Sequence, residues 1–206
     1  MYSKFLSIDE EKRGRIINAA LKEFALKGYA AASTNEIAKE AGISKGLLFH
    51  YFTSKKDLYV YLYDHTIRIT SEAVANKIDL LEKDLFVRMR QLSIVKLGIF
   101  GVYPNFFEFL KSVYFEEAAD VSHELQDKRK EIAASEYFKL FADIDRTKFK
   151  DGVDPNKALQ IILWSLEGLG EQEREKYRKL GQKVDIDALL EQTDQYLDLF
   201  KLSFYK

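Results

Sequence analysis

The sequence predicts an all-α protein, and three observations carry the prediction. Apolar residues recur at i, i+3 and i+4 along most of the chain, with no strand-like alternation. The 206 residues include only two prolines, Pro104 and Pro155, and each stands where a helix begins, a position at which a missing N–H is harmless. Capping residues and glycines interrupt the pattern at helical lengths. A composition of 47% hydrophobic and 32% charged residues is that of a folded domain, and the length suffices to bury a core.

Taken in order, Ser7 and Glu10 have capping-box spacing ahead of a long first helix. Its Ile16, Ile17, Ala20, Leu21, Phe24 and Ala25 form one apolar stripe, and Gly28 ends it. Ser33 and Glu36 repeat the box for a short helix from about Thr34 to Ala41. Gly42 follows, where left-handed backbone is cheapest, and Ser44 caps a third helix. From Lys55 to about Leu81, Leu58, Leu62, His65, Ile69 and Ala73 lie on one face of a long helix. Further helices are expected over about Lys83 to Leu97, Pro104 to Ala118, Val121 to Ile144, Pro155 to Lys179 and Ile186 to Phe204, about nine in all. The linkers hold Gly98, Gly101, Gly152 and Gly181.

Several chemistries are absent. With no cysteine there is no disulfide or thiolate, and three scattered histidines make a poor zinc site. Gly168-Leu169-Gly170 is a lone G-x-G within a helical pattern, and no hydrolase, zincin or phosphate-loop motif occurs. Glu116 and Glu117 are adjacent and diverge on a helix. The chain is therefore expected to be no enzyme and to need no cofactor or metal. No apolar run approaches the ~20 residues of a membrane span and the N-terminus has no signal-like core, so a cytoplasmic protein without a membrane partner is expected. The net charge of −1 is unevenly divided: residues 1–60 carry ten Lys/Arg against seven Asp/Glu, a balance of +3, which leaves −4 for the rest. Any phosphate affinity must then come from where the cations sit.

Ser33 to Phe52 reads as two short helices joined by a tight glycine turn, a helix-turn-helix. In DNA-binding versions the second helix enters the major groove. The same αα-hairpin also occurs in proteins that never meet nucleic acid, and spacing alone leaves both readings open.

Arg13 to Phe52, followed by Ser54-Lys55-Lys56-Asp57-Leu58, resembles the N-terminal domain of the TetR family of bacterial transcriptional regulators. The resemblance rests on Ile17, Ala20, Phe24, Gly28, Tyr29, Ile37-Ala38, Ala41-Gly42, Ser44-Lys45-Gly46, Tyr51-Phe52 and Lys55, in order and without a gap. It covers about the first quarter of the chain; the remainder is similar only in length and helical character.

The resemblance implies a helix-turn-helix DNA-binding domain over 1–54 and a larger helical ligand-binding and dimerisation domain over 55–206. A double-stranded DNA operator would then meet Thr34, Ser44, Lys45, Gly46, Leu47, Phe49, His50, Tyr51 and Lys55. Lys45 is the strongest of these, because a cation at the start of a recognition helix reaches guanine edges or phosphate. Leu47 stands where the family commonly has a small polar residue, and Phe49 where it often has Tyr, so a phenolic contact to phosphate is missing. An effector cavity among the middle helices would be lined by Phe100, Tyr103, Phe107, Tyr114, Phe115, Phe138 and Trp164, suiting a small, largely apolar or aromatic molecule such as one with an acyl chain. A homodimer interface would draw on Leu159, Ile162, Leu163, Leu166, Leu190, Tyr196, Leu197 and Phe200. The expected function is a ligand-responsive repressor that binds a palindromic operator as a dimer. The alternative is an architectural or adaptor DNA-binding protein that senses no small molecule.

Overall fold

The computed structural model describes residues 2–121, 125 and 140–206, without the side chain of Arg178. Helices α1 (Ser3–Leu6), α2 (Glu10–Ala31), α3 (Thr34–Glu40), α4 (Lys45–Tyr51), α5 (Lys55–Lys77), α6 (Leu85–Val102) and α7 (Phe106–Tyr114) follow one another. Beyond the undescribed stretch come a 3-10 turn (Arg146–Lys148), α8 (Pro155–Leu180) and α9 (Ile186–Phe204). Among the described residues these are nine α-helices and no strand, only an isolated antiparallel bridge between Phe149 and Tyr205. The all-α expectation holds.

Local chemistry accounts for the helix ends, including those that differ from expectation. Ser7 does not cap α2; its hydroxyl donates to Lys4 O and closes the unforeseen α1, while the Asp9 carboxylate accepts from Lys12 N. Gly28, at φ 68°, breaks the helical run near the end of α2, as Gly42, at φ 69°, ends α3. Ser44 and Ser54 cap α4 and α5 by accepting from Leu47 N and Asp57 N. Helix α5 stops at Lys77, four residues before the expected Leu81, and Asp79 N turns to the Gln91 side chain. The helix expected over Val121 to Ile144 lies largely outside the described residues, and 140–143 form a turn.

The chain packs as two units, one of Met1–Glu72 with Val102–Glu136, the other of Ala73–Gly101 with Tyr137–Lys206. The first is centred on aromatic side chains. Phe5 packs against Phe52 and Tyr61, and Phe24 against Tyr59 and Phe109, at ring separations of 4.7 to 6.4 Å. Ile16, Ile17, Leu21, Ile37 and Leu48 fill the space around them. Helix α7 thus shares a core with α2, and Glu116 beyond it accepts from Tyr29 N at 2.8 Å, fixing the chain just after the Gly28 break.

The second unit packs Phe86, Met89, Leu92, Val95 and Ile162 in its interior and buries a charge beside them. Arg88 of α6 is fully buried and directs four of its five N–H donors to Leu140 O at 2.6 Å, Asp143 Oδ1 at 2.7 Å, Leu80 O at 3.0 Å and Glu82 O. Lys83 also holds Asp143; with Arg88 it keeps that carboxyl down at about 2. Arg90 forms a bidentate pair with Asp194 of α9, at 2.8 and 3.0 Å. Tyr205 closes the chain end, its oxygen accepting from Leu85 N and its ring set edge-on to Phe86 and Phe149.

Candidate nucleic-acid interface

Alternation of burial along α4 decides which side chains it presents. Leu48 is buried, Leu47 is half-buried, and the half-buried Tyr51 lies 5.6 Å from the Phe5 ring. Lys45, Gly46, Phe49 and His50 are exposed together with Ser44. Of the two neighbouring candidates, His50 therefore faces outward and Tyr51 anchors the helix. Lys45 Nζ lies 5.9 Å from the centre of the Phe49 ring, a loose cation–π approach that leaves the ammonium free to reach outward. A Cβ added at Gly46 would meet nothing within 4 Å, so the fold itself does not require glycine there.

The preceding helix is held by a modified capping box. Ser33 Oγ accepts from Glu36 N at 3.4 Å, but Glu36 does not return the bond; Ser33 N donates instead to Glu23 Oε1 at 2.8 Å. Glu23, buried on α2, also takes the Lys27 ammonium at 2.9 Å. Burial pushes its carboxyl upward, yet the Ser33 N–H and Lys27 outweigh burial and hold it below the usual range. Lys22 and Glu40 pair at 2.7 Å and fasten the far end of α3 to α2. Thr34 is half-buried at the helix start beside the exposed Asn35, a polar neighbour to which no motif pointed.

Lys55 behaves differently from Lys45. Its ammonium donates to Ala30 O at 3.1 Å and Ala32 O at 3.2 Å and sits 4.7 Å over the Tyr29 ring. The sequence directs this cation to DNA; its partners lie within the head, where it ties down the turn between α2 and α3. Asp57 completes the start of α5 by accepting from Thr53 N, Thr53 Oγ1 and Tyr2 OH. Among the early cations, Arg15 pairs with Glu11 and Arg13 donates to Leu6 O.

The other expected sites are less well gathered. Phe100 is buried in the second unit and Tyr103 and Phe107 are half-buried in the first, but Tyr114, Phe115 and Trp164 are exposed, Trp164 to 67%. Those three do not line an enclosed cavity of the chain as it stands, because an aromatic stripe at helical spacing does not say which flank another element covers. Phe138 lies outside the described residues. Of the expected dimer residues, Leu159, Ile162 and Leu197 are buried within their own unit and serve its core, while Leu163, Leu166, Leu190 and Phe200 are half-buried and Tyr196 is exposed. The apolar side chains that α8 and α9 leave uncovered also include Ile161, Leu199 and Leu202, the last 76% exposed.

A capped two-helix reader on an aromatic core, carrying an exposed cation at the start of its second helix, is the arrangement of a helix-turn-helix head. Residues 16–62 match the family profile described as bacterial regulatory proteins, tetR family. The HTH-type transcriptional regulator YerO of Bacillus subtilis is 40% identical over 75 residues, 36% of this chain and 25% of YerO. Across the first such relatives the match spans about a quarter of their length. A longer alignment, 25% identical over 164 residues, covers 74% of this chain and 78% of the fatty acid metabolism regulator protein of Bacillus subtilis. A crystal structure of a TetR family transcriptional regulator from Chloroflexus aurantiacus superposes over 98% of this chain and 97% of its own, with a TM-score of 0.60 at 24% identity, which establishes the shared fold. The likeness to the tetR family is thus carried in sequence by residues 16–62, and the rest of the chain shares the fold of that solved regulator. The chain's relatives are named as transcriptional regulators, in line with the expectation that it is not an enzyme.

Proposed function

We propose that the protein is a DNA-binding transcriptional regulator, a repressor that grips a palindromic operator as a homodimer and is released by an effector with an apolar, acyl-like body. Residues 1–54 form the reading head in this proposal and 55–206 the sensing and pairing body. The observation that carries it is the exposed face of α4: Lys45, Gly46, Phe49 and His50 point away from a helix whose other side is pinned by Leu48 and Tyr51. A cation at the helix start suits guanine O6/N7 or phosphate, an exposed ring suits a thymine methyl, and a glycine lets the backbone approach a groove wall. Ser44 and Thr34 add hydroxyls for phosphate oxygens.

Pairing is supported by the uncovered apolar side chains Ile161 and Trp164 of α8 and Tyr196, Leu199 and Leu202 of α9, since such patches are costly to leave in water. Two heads on a two-fold axis would read half-sites about 34 Å apart and double the few contacts one head makes. An acyl-like effector is supported by the relative named for fatty acid metabolism.

The test is selection of duplexes from a random pool by the purified protein, followed by fluorescence anisotropy on the enriched site. Lys45→Ala is expected to weaken binding at least about tenfold and to reduce the salt dependence, with folding unchanged. Failure to enrich any duplex, or full affinity in Lys45→Ala, would overturn the assignment of α4.

A further inference from the structure

His65, midway along α5, has an unusual hydrogen-bond arrangement. It is 8% exposed, stacked on Tyr61 at 5.6 Å between ring centres and set edge-on to Tyr103 at 5.9 Å. Arg68 Nη2 lies 3.1 Å from its Nδ1. A guanidinium can only donate, so Nδ1 must accept, and the neutral ring carries its proton on Nε2. Burial first, then the charges of Arg68 and Arg13, hold the imidazole neutral, with its titration near 4. The Nε2–H therefore points into the protein interior as a donor, yet Nε2 has no partner.

A second unpaired buried atom belongs to α2. Asn18 of α2 donates through Nδ2 to Val102 O at 3.2 Å, which fixes its amide orientation and leaves Oδ1 buried with no donor. Val102 precedes Tyr103, the ring against His65. A buried donor and a buried acceptor thus flank the link between α6 and α7, and the positive charges of Arg13 and Arg68 reach His65, Tyr61 and Tyr103. Native proteins rarely leave such groups unpaired, so each unpaired atom asks what satisfies it.

We propose that His65, Asn18 and the Tyr61 and Tyr103 rings form the head-group site of the effector, and that the group bound is a carboxylate on an apolar body. One carboxylate oxygen accepts from His65 Nε2–H. A water donating one hydrogen to the carboxylate and one to Asn18 Oδ1 satisfies the other atom, and Arg13, with Arg68 that Glu72 already pairs at 2.9 Å, supplies the compensating positive field. Tyr103, half-buried and the more exposed of the two rings, moves aside to admit the ligand. This site rests on the reading of the protein as an effector-released regulator and gives that effector its polar end. It also places the ligand's charge on α5, whose first turn is tied to the reading head by Lys55 and Asp57.

The experiment uses the full chain on its selected duplex, with decanoate and decan-1-ol as matched probes. Decanoate is expected to raise the melting temperature of the wild type and release it from DNA, and decan-1-ol to do so at least about tenfold less effectively. His65→Phe fills the same space without an unpaired donor; it should bind the duplex normally, melt about 2–4 °C higher without ligand, and lose the decanoate response. Asn18→Leu is the second variant and should weaken the response less. A wild type that binds the duplex but ignores decanoate overturns the carboxylate site and leaves the DNA-binding reading standing. A wild type that responds, with His65→Phe responding equally, overturns the site alone. A His65→Phe protein that no longer folds or binds the duplex shows that His65 is structural and overturns the site as well.

Discussion

The two units of the chain are held together in contrasting ways. In the first, Phe5, Phe24, Phe52, Tyr59 and Phe109 interlock, so stability is spread over many non-directional contacts. In the second, the Arg88 guanidinium gathers the 80–82 turn, Leu140 and Asp143 around one fully buried charge. The first arrangement tolerates loss of a polar group, whereas the second, beside an apolar core of its own, depends on one buried cation. A reader of DNA gains from the first kind, because its exposed face can be shaped without disturbing what holds it.

The sharpest way to break this contrast is Arg88→Ala. It leaves three carbonyls without their donor and Asp143 with Lys83 alone, and is expected to cost about 3–5 kcal/mol in urea unfolding. A loss no larger than that of an exposed arginine would mean that the guanidinium is not the hub. Next is pH. His65 titrates near 4 when folded against 6.5 when unfolded, so between these values the unfolded chain binds more protons and stability falls as pH drops. The full loss, reached by about pH 4, is about 3 kcal/mol, and His65→Phe should abolish that part of the pH profile.

A smaller effect separates the two lysines of the head. Lys55→Ala removes two carbonyl contacts and a cation–π contact and should lower stability by about 1 kcal/mol, whereas Lys45→Ala should leave stability unchanged. Equal effects on unfolding would erase the distinction between anchor and reader. The smallest concerns α8. A Cβ at Gly168 meets nothing in the chain, so Gly168→Ala should stabilise an isolated subunit by up to about 1 kcal/mol. If a partner's helix crosses there, the same change weakens the dimer in analytical ultracentrifugation; unaltered pairing would move the interface elsewhere.

The helix-turn-helix and its caps were legible because each depends on residues within four positions of one another. Ser33 with Glu36, Gly42, and Ser44 with Leu47 act locally, and α9 runs over the expected Ile186–Phe204. The return arm of the Ser33 box was not legible, since the carboxylate that replaces Glu36 comes from Glu23, ten residues upstream and across a turn. Likewise Tyr196 and Leu197 were both expected at one interface, yet the first is exposed and the second buried.

By itself the sequence determined most of the described helices, the caps of α3 and α4 and the motif of the head, because periodicity, capping and glycine dihedrals are properties of neighbouring residues. Tertiary structure alone decided that Lys55 turns inward, that His50 rather than Tyr51 faces out, and that His65 buries a donor without an acceptor. Those outcomes depend on which residues distant in the chain arrive alongside, and burial and hydrogen-bond pairing are set only when they do.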